Sequence, residues 1–147
     1  MIEDTNATKA AIALTFFEAC RQAKKDGCKA IFSGLGADEI CGGYERQRNS
    51  ANINKECLSS LLKIYERDLY RDDVIAMFNS IEMRMPFLDR SLVEFTLKIP
   101  QKFKTAGNGD KLLLRNLAKR LGIPEAIVHR KKRGAQYGSK FQTAVDL

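Results

Sequence analysis

The chain has 147 residues, 44% of them hydrophobic and 29% charged, with three prolines, a composition that excludes disordered, collagen-like and membrane-embedded classes and fits a single globular domain over 1–147. A chain of this size buries about two-thirds of the surface its unfolded form exposes, enough for a core without metals or disulfides. Lys and Arg number 25 against 18 Asp and Glu, and the resulting +7 favours anionic partners: nucleotides, polyphosphate, nucleic acid or an acidic protein.

The elements are read in chain order. Asp4, Thr5 and Asn6 can each cap a first helix, whose apolar run at 10–17 is too short to span a bilayer and ends in Glu18, Arg21, Lys24 and Lys25. Apolar residues cover much of that helix, so it has to be packed on more than one side. Residues 28–32, C-K-A-I-F between Gly27 and Gly34, predict one core strand. A glycine-rich turn follows and runs into a helix carrying Ile40, Tyr44 and Arg46. Helical spacing then extends over 53–83, as one long helix or two with a break near 71–73, until Pro86 stops it. Asp89 caps a helix that Pro100 ends, 105–110 is the most loop-like stretch, Asp110 opens a leucine-rich helix, and Gly122 with Pro124 closes it. The order helix, strand, glycine turn, helix is that of α/β proteins, although one strand among so many helices lacks neighbours for its backbone groups.

Cys20, Cys28, Cys41 and Cys57 form no C-x-x-C pair and His129 is the single histidine, so zinc-ligand spacing is absent. With no signal peptide before the first helix, the cysteines read as reduced thiols, the compartment as cytoplasmic and His129 as structural. Residues 33–38 can cradle an anion: Gly34 and Gly36 admit close backbone approach, and the following helix aims N–H groups at that point. Phosphate suits this turn once a divalent cation joins it, since Mg²⁺ is held by one or two carboxylates, here Asp38 and Glu39, together with phosphate oxygens. The same glycines also serve a plain tight turn. Arg84 can pair with Glu82 or Asp89, and Lys132, within R-K-K-R at 130–133, reads equally as part of a solvated charge run or a nucleic-acid patch.

The stretch S-G-L-G-A-D-E-I-C-G-G-Y at 33–44 resembles the S-G-E-G-x-D-E-x-x-G-G-Y signature of the synthetase domain of asparagine synthetases and their β-lactam synthetase relatives. Three more segments agree in order: E-M-R-M-P-F-L-D at 82–89 with E-x-R-x-P-F-L-D, K-L-L-L-R at 111–115 with K-x-x-L-R, and the basic segment at 127–134 with the family's R-x-K. The resemblance implies a partial doubly wound nucleotide-binding fold, predominantly helical in this chain, and an adenylating ligase. In such an enzyme ATP activates a carboxylate, aspartate first among the candidates, as an acyl-adenylate, and ammonia then displaces AMP. Carried over by position, Ser33, Gly34 and Gly36 meet the nucleotide, Asp38 binds Mg²⁺, Lys132 stabilises charge on the phosphates and acyl group, and Arg84 and Glu82 shape the wall.

The sequence departs from the family at Leu35, where amide-forming members carry a glutamate thought to handle protons. The pyrophosphate-binding S-G-G-x-D-S loop occurs nowhere in the 147 residues, and neither does a glutaminase domain, with Ile2 where its nucleophilic cysteine would stand. These departures lead to the expectation of the carboxyl-terminal half of a synthetase domain, completed by a partner chain carrying the loop or by self-association. They also leave room for a non-catalytic binding or scaffold module on the same fold. Nucleic-acid binding through 129–140 rests on charge alone and ranks last.

Overall fold

A computed structural model describes residues 6–105 and 111–146. They gather into two compact units, the first built from residues up to Ser33, Glu66–Arg84 and the chain from Lys132 onward, the second from Gly34–Tyr65 and Met85–Lys131.

In the first unit α1 (Ala7–Lys25) starts at Asn6, whose side chain accepts from the Lys9 N–H at 3.1 Å, and ends ahead of Gly27 at φ 77°. Asp4 and Thr5 lie outside the described residues. Ala11, Ala13 and Cys20 of α1 are buried against α5 (Tyr70–Phe78), α10 (Ala135–Gly138) and α11 (Phe141–Val145), so α1 is packed on more than one side as its apolar pattern requires. The expected core strand is shorter and less buried than 28–32: β1 is Ala30–Phe32, and Phe32 is 77% exposed.

The single-strand expectation is corrected by β2 (Glu82–Arg84), which pairs with β1 in parallel with Ile31 opposite Met83. Glu82, Met83 and Arg84 alternate charged and apolar, the period of a half-buried strand. Ile31 and Met83 share the inner face and pack with Phe16 and Phe17 on a core of Ala13, Cys20, Ile75 and Ala76. The helical spacing read over 53–83 therefore stops at Phe78, where Asn79 caps α5 and Ser80 takes a left-handed φ of 57°. The break also comes earlier than 71–73. It falls at Lys63, and a π-helical turn over Tyr65–Leu69 leads into α5. At the start of α5, buried Arg71 donates to Asp72 at 2.7 Å and meets Asp68 at 3.3 Å. Burial pushes the Asp72 carboxyl up from its ordinary value, against the opposing pull of Arg71.

In the second unit the helix expected through Ile40, Tyr44 and Arg46 is two helices, because Gly42 leaves the helical region at φ 79° and ends α2 (Ala37–Cys41) before α3 (Glu45–Arg48) begins. Buried Gln47 fixes that turn: it accepts from Tyr44 N–H at 2.9 Å and donates to the Glu39 carbonyl at 3.1 Å and to Ser60 of α4 (Ile53–Leu62) at 3.2 Å. Asp89 caps α6 (Arg90–Thr96) by accepting from Leu92 N–H at 3.1 Å. That helix stops before Pro100, which instead precedes the short α7 (Gln101–Lys104). Asp110 lies outside the described residues. Lys111, at φ 49°, stands at the start of α8 (Leu112–Arg120), and Gly122 at φ 77° turns the chain towards α9 (Glu125–Val128) after Pro124.

Candidate functional site

The first unit holds Ser33, Arg84 and Lys132. Ser33 closes β1, its N–H donating to the Arg84 carbonyl at 2.8 Å, so two of the motif segments meet through the sheet ladder. Arg84 is exposed and donates to Glu82 at 2.9 Å, the first of the two partners read from the sequence. Lys132 is exposed on the coil leading to α10.

Gly34, Gly36 and Asp38 belong to the second unit, and their glycines serve different ends. Gly36 sits at φ 93°, and a Cβ there would lie 2.5 Å from Leu88 Cδ2 and 3.2 Å from Phe87 Cβ. The glycine is thus fixed by the P-F-L-D segment, since a left-handed backbone and a packed side chain both exclude a larger residue. Gly34 is different: among the described residues nothing lies within 4 Å of where its Cβ would be, and its position is exposed. Packing does not demand a glycine there.

Asp38 lies in the first turn of α2 beside Gly43, whose N–H donates to the Asp38 carbonyl at 2.9 Å. A Cβ on Gly43 would collide with the Asp38 carboxylate. That carboxylate forms an ion pair with Lys111 Nζ at 3.0 Å, both side chains about one-quarter exposed. Sequence reasoning placed Lys111 in a motif without giving it a role. The pairing is tertiary, and only the shared membership of two motifs pointed to it. Glu39 is buried and accepts from the Tyr44 hydroxyl at 2.6 Å, which ties the D-E pair to the last tyrosine of the signature.

Arg115 of α8 donates to the carbonyls of Val128 and Arg130, the latter at 3.3 Å, and so shapes the turn that precedes the basic segment. His129 pairs with Glu125 at 2.8 Å, in keeping with a structural role. Among the described residues no three His, Cys, Asp or Glu side chains gather as metal ligands, so Asp38 offers one carboxylate rather than a protein cage. One carboxylate completed by phosphate oxygens is a usual environment for Mg²⁺, so the donor set fits that ion. No helix among the described residues is long and apolar enough to cross a membrane.

The sequence model of the asparagine synthase family matches residues 1–57 and 46–145. The chain belongs to the asparagine synthase family. Within it, the chain is 31% identical to a Methanocaldococcus jannaschii protein bearing the name of a glutamine-hydrolysing asparagine synthetase, over 94% of this chain and 32% of that protein. It is 38% identical to asparagine synthetase domain-containing protein YML096W of Saccharomyces cerevisiae over 75% of this chain and 21% of the relative. Against asparagine synthetase B of Escherichia coli, named as glutamine-hydrolysing, identity is 28% over 89% of this chain and 24% of the relative. The chain therefore spans a third or less of each of these asparagine synthase relatives. Its family residues meet in local pairs, Ser33 with Arg84, Gly36 with Leu88 and Asp38 with Lys111.

Proposed function

We propose that the chain is part of an ATP-dependent ligase that adenylates a carboxylate and passes the acyl group to ammonia. The observation that carries this reading is Gly34, a signature glycine with nothing within 4 Å of its Cβ position among the described residues, four residues before a carboxylate paired with Lys111. When bound, Mg-ATP supplies the adenylyl group and a good leaving group. The chain's own part is then to bind and orient. Ser33 and Gly34 offer backbone and hydroxyl donors to the nucleotide. Asp38 holds the Mg²⁺, and Lys111 keeps its carboxylate aimed. Lys132 supplies positive charge where phosphate and acyl oxygens gain negative charge, a contribution of about 100-fold or more for a well-placed donor. Arg84, anchored by Glu82, lines the wall.

The remainder of the synthase domain is the partner this reading requires, since β1 and β2 form a sheet of two strands and each leaves one edge without a strand among the described residues. Further parallel strands on those edges would extend the pair to a doubly wound sheet and bring the pyrophosphate loop. Leu35 favours a second reading, a binding module that kept the fold and lost proton transfer, because leucine moves no proton.

The deciding experiment is aspartate-dependent exchange of labelled pyrophosphate into ATP, measured on the chain purified natively with whatever travels with it. Exchange that falls about 100-fold in Asp38→Ala and Lys132→Ala supports the ligase. Exchange indifferent to both substitutions, or none with any carboxylate offered, overturns it.

A further inference from the structure

Asp38 and Lys111 both belong to the second unit, and Lys111 Nζ stands 3.0 Å from Asp38 Oδ1. That oxygen is buried, on the side of the carboxylate turned towards Gly43. The carboxylate that the ligase reading gives to a cation is thus already offset by an ammonium of equal and opposite charge. Beside it Glu39 is buried and accepts from the Tyr44 hydroxyl, and no three His, Cys, Asp or Glu side chains gather as metal ligands among the described residues. Lys111 also holds a backbone that does not suit it. It stands at φ 49° and ψ 39° ahead of α8, in the left-handed region that favours glycine or asparagine. A lysine kept in that conformation with its side chain on Asp38 points to a function of the lysine itself.

We propose that Lys111 keeps free divalent cations off Asp38, leaving the carboxylate to an ion that arrives already bound to polyphosphate. The inference rests on the reading of Asp38 as a Mg²⁺ ligand. Charge decides it. A bare divalent ion beside Asp38 is repelled by the neighbouring ammonium, and one compensated carboxylate does not offset the loss of the ion's tightly held water. The same ion on a nucleoside triphosphate belongs to a complex with excess negative charge, which the ammonium attracts. Lys111 thus acts as a specificity-determining residue for the form in which the cation enters. The pair also explains how a single carboxylate serves without a protein cage, since phosphate oxygens supply ligands that the chain does not.

The test is titration of the full chain with Mn²⁺, an ion of the same charge and oxygen preference as Mg²⁺, without nucleotide. Electron paramagnetic resonance reads the free ion. The parent should show no binding that Asp38→Asn removes. Lys111→Met and Lys111→Gln should each bind the ion about tenfold more tightly than the parent, the order expected for removing one unit charge beside a divalent ion in water. That gain should vanish when Asp38→Asn is added, and Lys111→Arg, which keeps the charge, should resemble the parent. A parent that loses Mn²⁺ binding on Asp38→Asn overturns the proposal, whether or not the neutral variants fold. So does the lack of an Asp38-dependent gain in folded Lys111→Met or Lys111→Gln. Pyrophosphate exchange is read separately: exchange that needs Asp38 without any gain in Mn²⁺ binding sinks this inference alone, and a gain without exchange leaves it standing while the ligase reading falls.

Discussion

Gly43 and Asp38 show how a signature residue can be required by its neighbour rather than by its own backbone. Because a methyl group on Gly43 would occupy the space of the Asp38 carboxylate, Gly43→Ala is expected to destabilise the chain by roughly 1–3 kcal/mol, the usual cost of overpacking. In an Asp38→Ala background most of that loss should vanish, and a double-mutant cycle by urea unfolding measures the coupling. Additive losses would place the role of Gly43 elsewhere. The thiols offer a second residue-scale test. Cys28 is exposed, whereas Cys20, Cys41 and Cys57 are buried with their thiols raised first of all by burial. Under native conditions at neutral pH an aromatic disulfide reagent should label Cys28 rapidly and the other three only on unfolding. Within the ligase reading, Leu35→Glu should raise ammonia-dependent amide formation in an assembly already competent to adenylate. No gain there would show that proton transfer is limited by another group.

At the scale of elements, the entry to α5 carries a pH-sensitive pair. Burial raises the Asp72 carboxyl above the ordinary 3.8, so the folded chain holds that proton more tightly than the unfolded one. Its contribution to stability is present below pH 3.8 and is lost as pH rises through the folded value. Asp72→Asn should therefore gain on the parent over that window in unfolding free energy, and parallel pH profiles would refute the assignment. β2 shows what sequence reading misses at this scale. Its Glu-Met-Arg alternation is three residues long and sits at the end of a helical pattern, so local periodicity absorbs it into the helix; the stop is made by Asn79 and Ser80 rather than by glycine or proline. Caps at Asn6, Asn52 and Asp89 depend on one side chain and the adjacent backbone. Asn6 and Asp89 were readable for that reason. The pairing of Asp38 with Lys111 needs the fold, and the sequence holds only its two ends in separate motifs.

For the whole molecule, the family was readable from four ordered segments, and the structure supplies a physical reason for two of their couplings, Gly36 on Leu88 and Ser33 on Arg84. Among the described residues the sheet that joins the last pair has two strands, and Phe32 on β1 is 77% exposed. Unpaired parallel edges next to an exposed aromatic favour association. The isolated chain should accordingly sediment as a concentration-dependent mixture, shifted towards monomer by Phe32→Lys. A monomer at all concentrations, with Ala30, Ile31 and Phe32 amides protected from exchange, would contradict this.

The packing of α1 on α11 also sets an order of events during synthesis. The second unit ends at Lys131, so every segment it needs has been synthesised before α10 and α11 are made. The first unit must wait, because the helix that opens it finds one of its main neighbours only in Phe141–Val145. Until then α1 carries Phe16 and Phe17 with its surroundings unfinished, the kind of exposed apolar surface that draws chaperones. A released chain truncated after residue 140 should keep a protease-resistant core drawn from 34–65 and 85–131 while α1 stays open to cleavage.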